Sequence, residues 1–351
     1  MTQPKRTDAW VIEGSNGFDS LNLHRDVPIP PLGDYDCLIQ IQAVSLNYRD
    51  LVIPKGLYPF PMTLPRIPCS DGAGIVLSTG PRVTQFRRGD RVCTLFNQTH
   101  QANPITRESM SSGLGGMLDG TLRKYAVLPE HGLVMAPSNL SPVEASTLSC
   151  APLTAWNALY GLMPLKPGDV VLTQGTGGVS LAAIQFAVAA GATVIATTSS
   201  EGKERKLKKM GVQHVINYKT TADWGEVARS YTPGECGVDH VIEVGGPGTM
   251  AQSLKAVRKE GVITIIGFLG GTGGKGGDEP SILDPLVQIC TVRGIFVGSR
   301  QQMEHMVRAI EANNIQPVVD EKVFAFEEAK DAYQYQWEQK HFGKVVIKVE
   351  G

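Results

Sequence analysis

The chain has 351 residues, a formal net charge of −1, 42% hydrophobic and 19% charged residues, the balance of a globular protein with room for two domains and a sizeable core. The near-neutral charge gives no footprint for nucleic acid or an anionic membrane, and no apolar run of about 18 residues offers a membrane span. Six scattered cysteines (Cys37, Cys69, Cys93, Cys150, Cys236, Cys290) without a C-x-x-C, and an N-terminus (MTQPKRTDAW) lacking the apolar core of a secretory signal, make a cytoplasmic location the expectation.

From Ala9 to Pro137 short strand-like runs alternate with Gly, Pro and Asp. Leu38 to Val44 alternates with period two, Gly74–Leu77 and Arg91–Leu95 are further strands, and Arg88-Gly89-Asp90 is the turn between them. Short strands at this spacing predict a barrel or sandwich. His100 to Gly120 has little periodicity and reads as a binding loop, a lid or a surface insertion. The stretch from Ser141 to Gly161 predicts helix, with Ser141, Pro142 and Glu144 as its capping start.

Strands then alternate with helices. Val170–Gln174, Thr193–Thr198, His214–Asn217, Asp239–Val244, Gly261–Ile266 and Thr291–Phe296 are the strands. Lys203–Met210, Ala222–Tyr231, Thr249–Arg258 and Ser281–Ile289 have helical spacing. This alternation predicts an α/β doubly wound parallel sheet. Gln301–Ala312 is a last helix, and Lys344–Val349 is a strand that does not fit that sheet and returns to the first domain.

The break after Val170–Gln174 carries the first functional signal. Gly175-Thr176-Gly177-Gly178 joins a β-branched strand to a long apolar helix, the context in which glycines let backbone approach a pyrophosphate and the helix N-terminus offers N–H groups to it. Ser180 departs from the strict glycine pattern. A second glycine run, Gly270 to Gly277 around Lys275, fails as a phosphate loop because no Ser or Thr follows the lysine.

Several segments together resemble the medium-chain dehydrogenase/reductase superfamily, on its zinc-free, quinone-oxidoreductase-like or enoyl-reductase-like side. They are Asn47-Tyr48-Arg49-Asp50, Pro68 to Gly74, Ala151 to Trp156, Gly175 to Val179, Asn217-Tyr218 and Phe342 to Val346. The resemblance spans essentially the whole chain. It implies a Rossmann domain (151–299) inserted in a chaperonin-10-like (GroES-like) β-barrel catalytic domain (1–150 and 300–351), with the active site between them. It also implies a homodimer through the Rossmann sheet edge.

The zinc branch of that superfamily holds its catalytic metal with Cys, His or a carboxylate, and Cys. At those positions this chain has Asn47, Ser70-Asp71 and Cys150, and the four-cysteine structural lobe is absent, so no metal is expected. Without a Lewis acid, developing oxyanion charge falls to hydrogen-bond donors. That chemistry suits a conjugated C=C bond or a quinone better than an alcohol.

At the end of the second Rossmann strand an NAD site carries a carboxylate. Here stand Ser199 and Ser200, then Lys203 and Arg205, which suit a 2′-phosphate; a solvated helix face is the alternative reading of the two cations. In the resembling branch, a lysine here and the tyrosine of an Asn-Tyr pair hold that phosphate, matching Lys203 and Tyr218. NADPH is the expected cofactor. The resemblance further implies cofactor contacts at Thr154, Thr176, Gly177, Gly178, Val179, Val244, Gly245, Gly267, Phe268, Phe296, Val297, Phe342, Gly343 and Lys344. For catalysis, Asn47 is a donor to a substrate carbonyl, and Tyr48 and Tyr58 are proton donors, with water as the alternative donor. The expected activity is NADPH-dependent reduction of an enone, enoyl or quinone substrate. Alcohol or carbonyl chemistry, or nucleotide binding without catalysis, are the competing readings.

Overall fold

The chain opens with a hairpin in which β1 (Arg6–Ile12) and β2 (Leu21–Pro28) pair antiparallel. The alternating segment becomes β3 (Asp36–Ser45), whose Ile39, Ile41 and Val44 are fully buried. After α1 (Tyr48–Val52) come β4 (Asp71–Thr79), β5 (Arg91–Thr94), α2 (Arg107–Met110), β6 (Tyr125–Pro129) and β7 (Leu133–Met135). The turn predicted between β4 and β5 places Gly89 at φ +94°, a conformation glycine adopts without a Cβ penalty.

The computed structural model describes residues 3–60, 62–267 and 280–349. The chain divides into two units, Met1–Leu153 with Val297–Gly351, and Thr154–Phe296. Among the described residues, no helix is long and apolar enough to cross a membrane.

The helix predicted from Ser141 to Gly161 is two helices, α3 (Pro142–Ala145) and α4 (Ala151–Tyr160). Ser141 forms the expected capping box, its N–H donating to Glu144 at 2.8 Å. The break follows because the Ser146 and Thr147 hydroxyls bond back to Val143 and Glu144 carbonyls at 2.8 and 2.7 Å. Pro152, lacking an N–H, belongs in the first turn of a helix and restarts one.

In the second unit β8 (Val170–Gln174), α5 (Gly178–Ala189), β9 (Thr193–Thr198), α6 (Glu201–Lys209), β10 (His214–Asn217) and α7 (Trp224–Ser230) follow the predicted order. Then come β11 (Val238–Glu243), α8 (Pro247–Ala256), β12 (Val257–Ile265), α9 (Asp284–Gln288) and β13 (Thr291–Gly294). The strands pair in parallel in the order β10-β9-β8-β11-β12-β13, a doubly wound sheet whose direction of winding reverses between β8 and β11. α8 begins two residues before the predicted Thr249 because Pro247 is suited to a helix's first position.

The chain returns to the first unit through α10 (Arg300–Ala312), β14 (Val319–Ala325), α11 (Ala329–Trp337) and β15 (Lys344–Lys348). β15 lies antiparallel to β3 and parallel to β14, completing a sheet ordered β14-β15-β3-β4-β5-β7, with β6 also on β3. Its core gathers Ile39, Ile41, Val44, Phe324, Tyr333 and Val345. The fold is thus the expected one, a GroES-like domain and a Rossmann-type parallel sheet.

Candidate functional site

Three neighbouring strands bring the first unit's polar residues together. Ser45 of β3 faces Asp71 of β4 on one side and Val346 of β15 on the other. The residues just past these ends therefore meet: Asn47, Asp71 and Lys344. Asn47 stands before α1 with extended backbone, and its N–H donates to Asp50 at 2.8 Å, a cap that fixes the turn. The Lys344 ammonium donates to the Leu46 carbonyl at 2.6 Å and to Asn47 Oδ1 at 2.5 Å, and lies 3.5 Å from Asp71 Oδ2. Ser70 Oγ donates to the other Asp71 oxygen at 2.7 Å. Asp50 and Asp71 are fully buried, and Lys344 nearly so.

Burial pushes the Asp71 carboxyl above its ordinary range, while Lys344 and Ser70 pull it back. Burial likewise pushes Asp50 up to about 6, against the opposing pull of Arg49 and the Asn47 N–H. Cys150 is pushed up to about 12, by burial first and by Asp71 second, so it is a thiol and not a thiolate at neutral pH. These residues do not fit a catalytic zinc. The amide oxygen of Asn47 is engaged by an ammonium, and Ser70 is a donor to Asp71. Lys344 already supplies positive charge beside the remaining carboxylate, where a divalent ion would be repelled.

Around this cluster lie the aromatic candidates. Tyr48, the first residue of α1, is 37% exposed. Tyr58 packs tilted on Phe60 with ring centres 5.3 Å apart, and the Arg49 guanidinium sits over its ring at 5.3 Å. Residues 100–120 are not a loose insertion: Leu114 is buried, and Gly113 bridges to Asn97. A Cβ on Gly120 would stand 2.0 Å from the Cys69 carbonyl oxygen, so that close approach requires glycine. Cys69 itself adopts φ +68° and meets the Tyr333 hydroxyl at 3.4 Å.

The second unit carries the nucleotide features. Gly175, at φ +71°, and Gly177 form the turn between β8 and α5, and a Cβ on either would meet nothing within 4 Å. That open backbone at the N-terminus of a 12-residue helix fits a pyrophosphate. Ser180 fills the position where the strict pattern departs: buried, it donates to the Gln174 carbonyl at 2.7 Å and ties the helix to the strand.

At the winding reversal Glu243 gathers donors from two elements. It accepts from Gln174 at 2.6 Å, Thr249 and Ser253 at 2.5 Å, and the N–H groups of Gly245 and Gly246 at 2.9 Å. This fixes Val244 and Gly245 at the end of β11, and Gly267 approaches Val244 closely enough that a Cβ would stand 3.0 Å from its carbonyl oxygen. Thr154 and Thr176 are buried. Ser200 caps α6 by accepting the Lys203 N–H, and Tyr218 N–H reaches the Thr198 carbonyl at 3.1 Å. Ser199, Ser200, Lys203 and Tyr218 therefore cluster at the ends of β9 and β10. Lys203 is partly buried, which lowers its ammonium pKa, with Lys206 adding to the effect, and Tyr218 is 44% exposed.

The remaining expected contacts are divided. Phe296 belongs to the second unit, whereas Val297, Phe342, Gly343 and Lys344 belong to the first. Val297 adopts φ +52°, and Gly343, at φ +94°, lies so close to the Val318 carbonyl that a Cβ would clash. Phe342 N–H donates to Asp320 at 2.8 Å. Phe268 and the glycine run at 270–277 lie outside the described residues. Lys344, expected at the cofactor, has its ammonium bonded to Asn47 and Leu46. Asp50 and Asp71 as members of the same cluster went unrecognised, although an acid leading the apolar run Leu51-Val52-Ile53 and another opening an apolar strand are a usable signal.

Two family models match the chain: an alcohol dehydrogenase GroES-like domain over residues 33–138 and a zinc-binding dehydrogenase over 178–312. A zinc-type alcohol dehydrogenase-like protein of Schizosaccharomyces pombe is 48% identical over 342 residues, 95% of this chain and 97% of the relative. A quinone oxidoreductase of Lama guanicoe is 27% identical, covering 84% of this chain and 82% of its own. The crystal structure of an NAD-dependent alcohol dehydrogenase is 32% identical with a TM-score of 0.86, covering 98% of this chain and 100% of that one.

Proposed function

Because the chain belongs to the medium-chain dehydrogenase/reductase superfamily of oxidoreductases, among its zinc-type alcohol dehydrogenase-like members, we propose that it is a zinc-independent, NADPH-dependent reductase of an α,β-unsaturated carbonyl or a quinone. The observation that carries this reading is the Lys344 ammonium on Asn47 Oδ1, 3.5 Å from Asp71. It puts fixed positive charge where the family's metal would need donors. When bound, the nicotinamide supplies the hydride. Gly177, Gly178 and the α5 N-terminus hold the pyrophosphate, and Ser200, Lys203 and Tyr218 hold the 2′-phosphate. Tyr58 or Tyr48 delivers the proton to the reduced substrate.

The parts of the reading are tested together by NADPH consumption over small enones and quinones with chelator present. Turnover that survives the chelator supports it; turnover that appears only on adding zinc overturns it. A second reading, oxidation of an alcohol or reduction of its carbonyl, is favoured by the names of the 48% and 32% identical relatives. A secondary alcohol turned over with NADP⁺, in the absence of enone reduction, selects it. A homodimer completes the reading. It is supported by the edge position of β13 and by the exposed apolar residues just before it, Ile282 at 93% and Leu286 at 73% exposure.

A further inference from the structure

Arg49 has two hydrogen-bond partners, the Leu114 carbonyl and the Tyr58 side chain, and a guanidinium with further donors. Its Nη1 donates to the Leu114 carbonyl at 2.6 Å, its Nε is buried without a hydrogen-bond partner, and the residue is partly exposed. The guanidinium lies over the rings of Phe96 at 4.6 Å and Tyr58 at 5.3 Å. The Asp50 carboxylate attracts it, but hydrogen-bonds through Oδ2 to the Asn47 N–H. Gly116 is the other wall: a Cβ there would stand 2.4 Å from Nη2. A purely mechanical strut to Leu114 needs one N–H. It does not account for a guanidinium held over two aromatic rings with its Nε left without a partner.

We propose that Arg49 is the catalytic residue that binds the substrate's oxygen and meets the negative charge that develops on it. This rests on the reductase reading above and narrows its substrate class to one presenting a carbonyl or quinone oxygen to a guanidinium. Hydride addition at the β-carbon breaks the C=C π bond and moves its electron pair through the carbonyl to oxygen, giving an enolate. Arg49 pairs with that oxyanion. One proton, delivered by Tyr58 or Tyr48 and replaced from solvent, then adds to the α-carbon, so the substrate gains two electrons and two hydrogens while the reduced nicotinamide of the preceding reading is oxidised. A guanidinium is suited to the role because it stays charged when partly desolvated and presents several N–H groups in one plane.

The test uses the full chain and its variants Arg49→Met, Arg49→Lys and Gly116→Ala. kcat is measured with the best enone or quinone. Binding of cyclohexane-1,3-dione, a stable enolate at neutral pH, is measured calorimetrically on the NADP⁺-loaded protein, and NADPH binding by fluorescence. Arg49→Met is expected to lower kcat about 100- to 1,000-fold. Its affinity for the dione anion should fall at least about tenfold, with NADPH affinity unchanged, while Arg49→Lys falls between. Gly116→Ala keeps the charge but displaces the guanidinium, and is expected to lower kcat and dione affinity together, which preserves the test if Arg49→Met does not fold. Variants that keep kcat and dione affinity within about threefold of the parent overturn the assignment. A parent that reduces no enone or quinone, yet binds the dione through Arg49, overturns the reductase reading and leaves the oxyanion site standing.

Discussion

Lys344 Nζ and Asn47 Oδ1 stand 2.5 Å apart, although the two residues are 297 positions apart in the chain. The contact joins β15 to the start of α1 and sets which side of the Asn47 amide faces the ammonium. Because Lys344 is also the cation nearest the fully buried Asp71, removing it strands a carboxylate. Lys344→Met is expected to destabilise the protein by about 3–5 kcal/mol. The double variant with Asp71→Asn should recover much of that loss, and a double-mutant cycle by thermal unfolding measures the coupling. Strict additivity of the two changes would remove the ion pair from the account.

Asp50 gives a pH signature. Its carboxyl is raised by burial from an ordinary 3.8 to about 6, so the folded chain holds that proton more tightly than the unfolded chain does. The contribution to stability is complete below the unfolded value and is lost as pH rises through about 6. Asp50→Asn, which keeps an oxygen for the Asn47 N–H, should therefore gain on the parent as pH rises from about 5 to about 8. A gain on the order of 2 kcal/mol is expected, read as the difference in unfolding midpoints. A gap that stays constant across this range contradicts the assigned shift.

The ribose end predicts cofactor preference. Lys203→Ala with Tyr218→Phe removes a cation and a hydroxyl from the cluster at the ends of β9 and β10. NADPH affinity should fall about tenfold or more, with NADH affinity nearly unchanged. Fluorescence titration with both cofactors gives the comparison, and equal losses for the two would remove the 2′-phosphate assignment.

The cysteines predict a labelling pattern. Cys236 is exposed, whereas Cys37, Cys93 and Cys150 are each pushed up to about 12 by burial. Brief iodoacetamide treatment at neutral pH should modify Cys236 and spare these three, as peptide mass mapping will show. Rapid modification of Cys150 would mean a thiolate there and would reopen metal coordination.

The apolar residues before β13 predict an association. Ile282→Glu with Leu286→Glu should convert a dimer to a monomer in light scattering while leaving the circular dichroism spectrum unchanged. A parent that is already monomeric at micromolar concentration would remove the dimer from the reading.

How much of this was legible depends on how local the cause is. Val170–Gln174 and Thr193–Thr198 match their strands residue for residue, because a short β-branched run closed by glycine or serine carries its own instruction. The capping box at Ser141 is equally local. The helix after it was misread where apolar spacing continued but side-chain hydroxyls bonded back to the chain. Residues 100–120 were opaque because their order comes from close packing of Gly115 and Gly120 on Cys69, which no periodicity encodes.

By itself, then, the sequence determined the strand-turn-helix expected of a dinucleotide site and the doubly wound order. Only the tertiary structure decided what surrounds Asn47. Lys344, Asn47 and Asp71 lie far apart along the chain, and each alone is an ordinary polar residue. The register of β15 on β3 and of β3 on β4 turns them into one buried, charge-balanced cluster, because strand pairing fixes which ends meet and burial fixes which charges must be paired.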